Sequence, residues 1–169
     1  YILNKKINKK FDIKNFSKKL NHLFIILKKM GYEIYFLSHP KIFKKNQLIY
    51  KNCKKIYYKT YEYVKISDLV ITSHSSTIDY PIILKKKILR IFSREYKSYP
   101  IVEKQFKYHS KFFENNGLNL DNIKELTKEK IDEAILLPDK KYEEFLCKFI
   151  RHPKSKNEIF SDIISSIIN

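Results

Sequence analysis

From Asn15 to Met30 the apolar residues Phe16, Leu20, Leu23, Phe24 and Leu27 recur every three or four positions, with lysines between them. That period predicts an amphipathic helix with one buried stripe. Asp12 or Asn15 is placed to cap its start, and Gly31 to end it in the left-handed conformation. Tyr32 to Leu37 is then a run of aromatic and β-branched residues, which predicts a strand. The strand stops at Ser38-His39-Pro40, because proline cannot donate to a ladder. Residues 41–59 are polar and lysine-rich, and predict a loop with at most one short helix.

Thr60 to Ile66 predicts a short helix or turn, and Leu69 to Thr72 a short buried strand. Ile78 to Lys85 predicts a helix that must begin near Asp79, so that Pro81 falls in the first turn. Ile88 to Phe92 is the next buried strand. Tyr99 to Asn116 reads as a helix ended by Gly117, and Leu118 to Asp121 as a turn or short strand. Three further helices are expected over Lys128–Leu137, Lys140–Arg151 and Glu158–Ile168, separated by Pro138 and Pro153.

The strands are continuous apolar runs rather than alternating ones, and helices separate them. That combination predicts an α/β fold: a Rossmann-like parallel sheet with helices on both faces, followed by a helical C-terminal tail. The strands at 32–37, 69–72 and 88–92 are expected side by side in one sheet.

In such a sheet ligands bind beyond the carboxyl ends of the strands. Two polar segments emerge there. One is Ser38-His39-Pro40; the other is Ser73-His74-Ser75-Ser76-Thr77, between a strand and a helix N-terminus. Unpaired N–H groups at a helix start favour an anion, and the hydroxyls of Ser75, Ser76 and Thr77 add donors. His39 and His74 each bring an N–H or, when protonated, a charge. This chemistry suits the phosphate of a nucleotide leaving group. Plain structural roles also fit: Ser75 or Ser76 as a helix cap, His39 as a strand end, His74 as a surface residue, Asp79 as a first-turn acid. The segment between Gly31 and Gly117 holds no glycine, which excludes a G-x-S-x-G elbow, a Walker loop and a dinucleotide fingerprint.

The formal charge is +17, which favours anionic surroundings such as nucleic acid, an anionic membrane or a phosphorylated substrate. Of 35 basic residues only Arg90, Arg94 and Arg151 are arginine. Nucleic-acid sites lean on arginine, whereas Lys, Ile, Asn, Tyr and Phe are all encoded by AT-rich codons. Codon usage is thus taken as the main source of the charge, with lysines spread over every exposed face. Cys53 and Cys147 have no zinc spacing and are expected as two reduced thiols. No run of about 18 apolar residues and no signal peptide is visible, and no D-x-D motif or metal site is expected.

The stretch SDLVITSHSSTIDYPIILKKKILRIF resembles the C-terminal, donor-binding half of GT-B glycosyltransferases of bacterial surface and capsular polysaccharide synthesis. Those proteins share its order of strand, Ser-Ser/Thr, helix and strand. Ser38-His39-Pro40 resembles the histidine-proline motif of bacterial sialyltransferases and related capsule transferases. The resemblance implies a nucleotide-binding domain over residues 1–126 and a helical extension over residues 127–169. It implies a CMP-, CDP- or UDP-linked sugar donor, a glycan or lipid-linked acceptor, no bound cofactor and no nucleic-acid partner. It places His39 in a catalytic role at the departing phosphate, and Ser38, Ser73, His74, Ser75, Ser76, Thr77 and Asp79 around the donor. An acceptor half N-terminal to Tyr1 and a cytoplasmic location, peripheral to the inner membrane, go with it. The usual Gly-Lys-Pro before the last strand is Lys86-Lys87-Ile88 here, and Pro81 stands where many such enzymes carry a ribose-binding Glu. The alternatives are a lysine-rich module for nucleic acid or an anionic membrane surface, and an inactive truncated remnant.

Overall fold

The computed structural model describes residues 11–38, 50–73 and 78–150. Its first element, α1 (Ile13–Lys29), is the predicted amphipathic helix. Asp12 caps it by accepting a hydrogen bond from the Asn15 backbone N–H at 2.9 Å. Gly31 follows at φ +94°, a conformation that favours glycine. The stripe of Phe16, Leu20, Leu23, Phe24 and Leu27 is buried.

Strand β1 (Tyr35–Ser38) begins later than the predicted run and pairs in parallel with β2 (Lys54–Tyr57). Helix α2 (Thr60–Ile66) leads into β3 (Leu69–Thr72). Helix α3 (Asp79–Ile83) carries Pro81 in its first turn, where a missing N–H leaves no helical bond unmade. Strand β4 (Lys87–Phe92) lies parallel to β3, with Thr72 opposite Arg90. A 3₁₀ turn (Arg94–Ser98) precedes α4 (Pro100–Phe113), which starts on proline. Strand β5 (Leu118–Asn119) pairs in parallel with the end of β4. After a second 3₁₀ segment (Leu120–Glu125) come α5 (Lys128–Ala134), β6 (Ile135–Leu136) and α6 (Lys140–Phe145), and a single π-helical turn (Leu146–Ile150) ends the described chain.

The fold is mixed α/β, with parallel strand pairs covered by helices and a helical C-terminal region. Alternate residues of β4 point to opposite faces. Leu89 and Ile91 join α1, Leu118, Leu120, Ile131 and Ala134 in one core. Ile88 joins Ile78, Ile82, Phe113, Tyr142 and Phe145 in a second. Burial on both faces is why this strand has no polar alternation.

Three expectations need correcting. The strands at 32–37, 69–72 and 88–92 do not lie side by side in one sheet: β3 pairs with β4 in a four-stranded sheet, whereas β1 forms a separate two-stranded sheet with Lys54–Tyr57, a segment whose polar pattern predicts a loop. Strand β2 is half exposed and lysine-bearing, so it lacks the apolar run that marks a buried strand. The helix expected over Lys128–Leu137 stops at Ala134, because Ile135 and Leu136 pair antiparallel with Leu89 and Ile88 of β4. The helix expected over Lys140–Arg151 is α-helical only to Phe145 and then widens into the π turn, while Glu158–Ile168 lies outside the described residues. Cys53 is half-buried and Cys147 exposed, and they form no disulfide. Among the described residues no helix is long and apolar enough to cross a membrane.

Candidate functional site at the carboxyl edge of the strands

The parallel pairing of β3 with β4 brings the residues after Thr72 and those after Phe92 to one edge of the sheet. Ser73 follows β3 directly, and Asp79 opens α3. Burial raises the Asp79 carboxyl above the ordinary aspartate range. Ser38 ends β1 at the carboxyl end of the other parallel pair, opposite Tyr57. His39, His74, Ser75, Ser76 and Thr77 lie outside the described residues.

Two clusters at or just below this edge went unseen in the sequence reading. The first surrounds Lys19, a buried lysine on the flank of α1. Its ammonium donates to Glu95 Oε1 and Oε2 at 2.8 and 2.9 Å and to Ser93 Oγ at 3.0 Å, and it also reaches Asp121 Oδ1. Ser93 donates to Glu95, as does the Asn15 amide. Asp121 accepts from the Arg94 backbone N–H at 3.0 Å. Burial alone would push the Glu95 carboxyl up; the hydrogen bonds from Lys19 and Ser93 more than offset it, so Glu95 sits below the usual glutamate range. Ser93 and Glu95 immediately follow β4, so the network ties helix α1 to the loop where a ligand in this kind of sheet would lie.

The second cluster centres on Arg90, fully buried on the face of β4 that packs against α4. It donates to the Phe106 carbonyl at 2.7 Å, the Asn115 carbonyl at 3.1 Å and Ser110 Oγ at 3.2 Å, and lies 4.4 Å from the Phe106 ring centroid. No described carboxylate neutralises it, and burial lowers its pKa to about 10. Its Nε and the Thr72 hydroxyl beside it are buried without a hydrogen-bond partner among the described residues. Opposed residues of a parallel ladder share a sheet face, so both orphan atoms belong to one polar spot beneath the strand ends. An open groove of about 590 Å³, flanked by Phe92, Phe106, Lys107 and Lys111, runs beside it.

Chemically, this edge offers buried cationic charge at Arg90 and a half-buried carboxyl at Asp79. Those are means of holding an anion and a hydroxyl together. Among the described residues no three His, Cys, Asp or Glu side chains converge as a metal site. Arg90 stood out in the sequence as a lone charge inside Ile-Leu-Arg-Ile-Phe; Lys19, Glu95 and Asp121 carried no such signal. Comparison with protein-family models, with curated proteins and with solved structures returned no match.

Proposed function

We propose that this chain is the nucleotide-binding half of a GT-B-type glycosyltransferase of surface or capsular polysaccharide synthesis. The observation that carries the reading is the unit from β3 through Ser73 to α3 and β4. Half-buried β3 ends just before Ser73, α3 begins at Asp79, and β4 returns in parallel. A strand-to-helix connection that carries Ser75, Ser76 and Thr77 in its sequence suits the phosphate of a CMP-, CDP- or UDP-linked sugar.

In this reading His39 and the hydroxyls of Ser75, Ser76 and Thr77 meet the charge that develops on the departing phosphate. Ser38, Ser73 and His74 are assigned to donor binding with them. Asp79 accepts a hydrogen bond from a ribose hydroxyl, in place of the glutamate for which Pro81 leaves no room. The cation of Arg90 and the helix end replace a metal in balancing the phosphate. A glycan or lipid-linked acceptor meets the donor from a second, acceptor-binding half, on the cytoplasmic side of the inner membrane.

Titration with CMP, CDP and UDP at low and at high salt tests the class of function. A pocket that holds a nucleotide loses little affinity as salt rises. A purely lysine-driven polyanion contact loses it steeply, and that outcome would displace the proposal.

A further inference from the structure

The charge of this chain is not spread evenly. Residues 1–60 hold 16 lysines against only Asp12 and Glu33, so they carry a net +14 of the total +17. Codon usage acts along the whole chain and does not account for such a step. Within this basic part α1 has five lysines and no acidic residue. One of them, Lys19, is buried and neutralised by Glu95 and Asp121. The others face outward.

Lys14, Lys18, Asn21 and Ile25 follow one another at helical spacing and form a stripe opposite the buried one. The Lys51 backbone N–H donates to Asn21 Oδ1 at 2.7 Å, which pins the next strand's approach against the helix. A shallow basic groove of about 460 Å³ results, lined by Lys14, Lys18, Asn21, His22, Ile25 and Lys51. Among the described residues no carboxylate lines it. Some lysines elsewhere are paired with carboxylates: Lys54 with Glu33, Lys85 with Glu143, Lys107 with Glu103, Lys141 with Glu114. Ile25, which also lines the groove, is 41% exposed.

We infer that the outer face of α1, with Lys51, is a docking surface for an anionic phospholipid bilayer. Charge complementarity selects an anion, and one feature selects a bilayer over a soluble polyanion. The exposed Ile25 beside these lysines offers apolar area to the headgroup–acyl boundary, which a nucleic-acid backbone would not use. The inference stands apart from the nucleotide reading and does not depend on it.

The test is co-sedimentation of the full chain with phosphatidylcholine vesicles, with and without about one third phosphatidylglycerol. Binding is expected only to the anionic vesicles and is expected to fade as salt rises. The triple variant K14E/K18E/K51E is expected to bind about 100-fold more weakly. The same charge change on the other part of the chain, K124E/K128E/K130E, is expected to cost about 3-fold or less, because none of those lysines lines the groove. The chain has no tryptophan, so I25W provides a single reporter, whose emission is expected to shift to the blue on anionic vesicles alone. Absence of binding to anionic vesicles, equal losses in the two triple variants, or an unshifted I25W on vesicles that do bind would each overturn the inference. Tighter binding to single-stranded RNA or polyphosphate than to the vesicles would overturn it in favour of a soluble polyanion.

Discussion

The ammonium of Lys19 lies 2.8 Å from the carboxylate of Glu95, and 76 residues of chain separate the two. Their side chains are 10% and 4% exposed, so neither charge has water as an alternative partner. Removing Lys19 leaves the buried Glu95 without its cation, and removing the Glu95 charge leaves Lys19 only the more exposed Asp121. Lys19→Met or Glu95→Gln is therefore expected to destabilise the fold by about 3–5 kcal/mol in urea unfolding. The double variant is expected to lose less than the sum of the two, with a coupling of about 1–3 kcal/mol. Additive losses would show that the pair contributes little.

Protonation gives a second handle. Burial, and then the nearby charge of Arg90, lowers the His109 pKa to about 4 from an ordinary 6.5. The folded state binds its proton less readily than the unfolded chain. Stability that is complete above pH 6.5 is thus lost as the pH falls toward 4, by about 1–2 kcal/mol once solvent screening of this half-buried ring is allowed for. His109→Phe keeps a ring among Phe113 and Phe145 and is expected to flatten Tm between those pH values. Glu95, whose folded pKa is lowered, adds a further loss only below about pH 4.5, which H109F leaves intact.

Glycine offers a controlled comparison. A Cβ at Gly117 would stand 2.6 Å from the Arg90 carbonyl oxygen at φ +63°, while one at Gly31 would meet nothing at φ +94°. Gly31→Ala is expected to cost about 1 kcal/mol from backbone strain alone, and Gly117→Ala about 2–4 kcal/mol. Equal losses in thermal unfolding would mean that the close approach to β4 relaxes freely.

These relationships mark what the sequence made legible. Helix α1, its Asp12 cap and Gly31, and the parallel neighbours β3 and β4 follow from local period and apolar runs. Strand β2 and the two-residue strand β6 do not, because both are specified by the edge that they pair with rather than by their own pattern. The Lys19 network was invisible for the same reason: its partner Asp121 lies 102 residues away, and a lysine on a lysine-rich helix gives no local sign of burial. Of the candidate site, the local pattern locates the end of β3 before Ser73 and the start of α3 at Asp79, and marks Arg90 only as an anomaly.

The central claim is that the hydroxyl-rich segment after β3 binds a nucleotide phosphate. Calorimetric titration of the full chain with CMP, CDP and UDP, set beside His39→Ala and the double variant S75A/S76A, tests it most directly. Hydrogen bonds to a charged phosphate are worth about 1.5–3 kcal/mol each, so each variant is expected to bind about 10- to 100-fold more weakly while unfolding at the same temperature. A wild-type chain that binds none of the three nucleotides, or variants that bind as tightly as the wild type, would contradict the account and leave the serines as a helix cap.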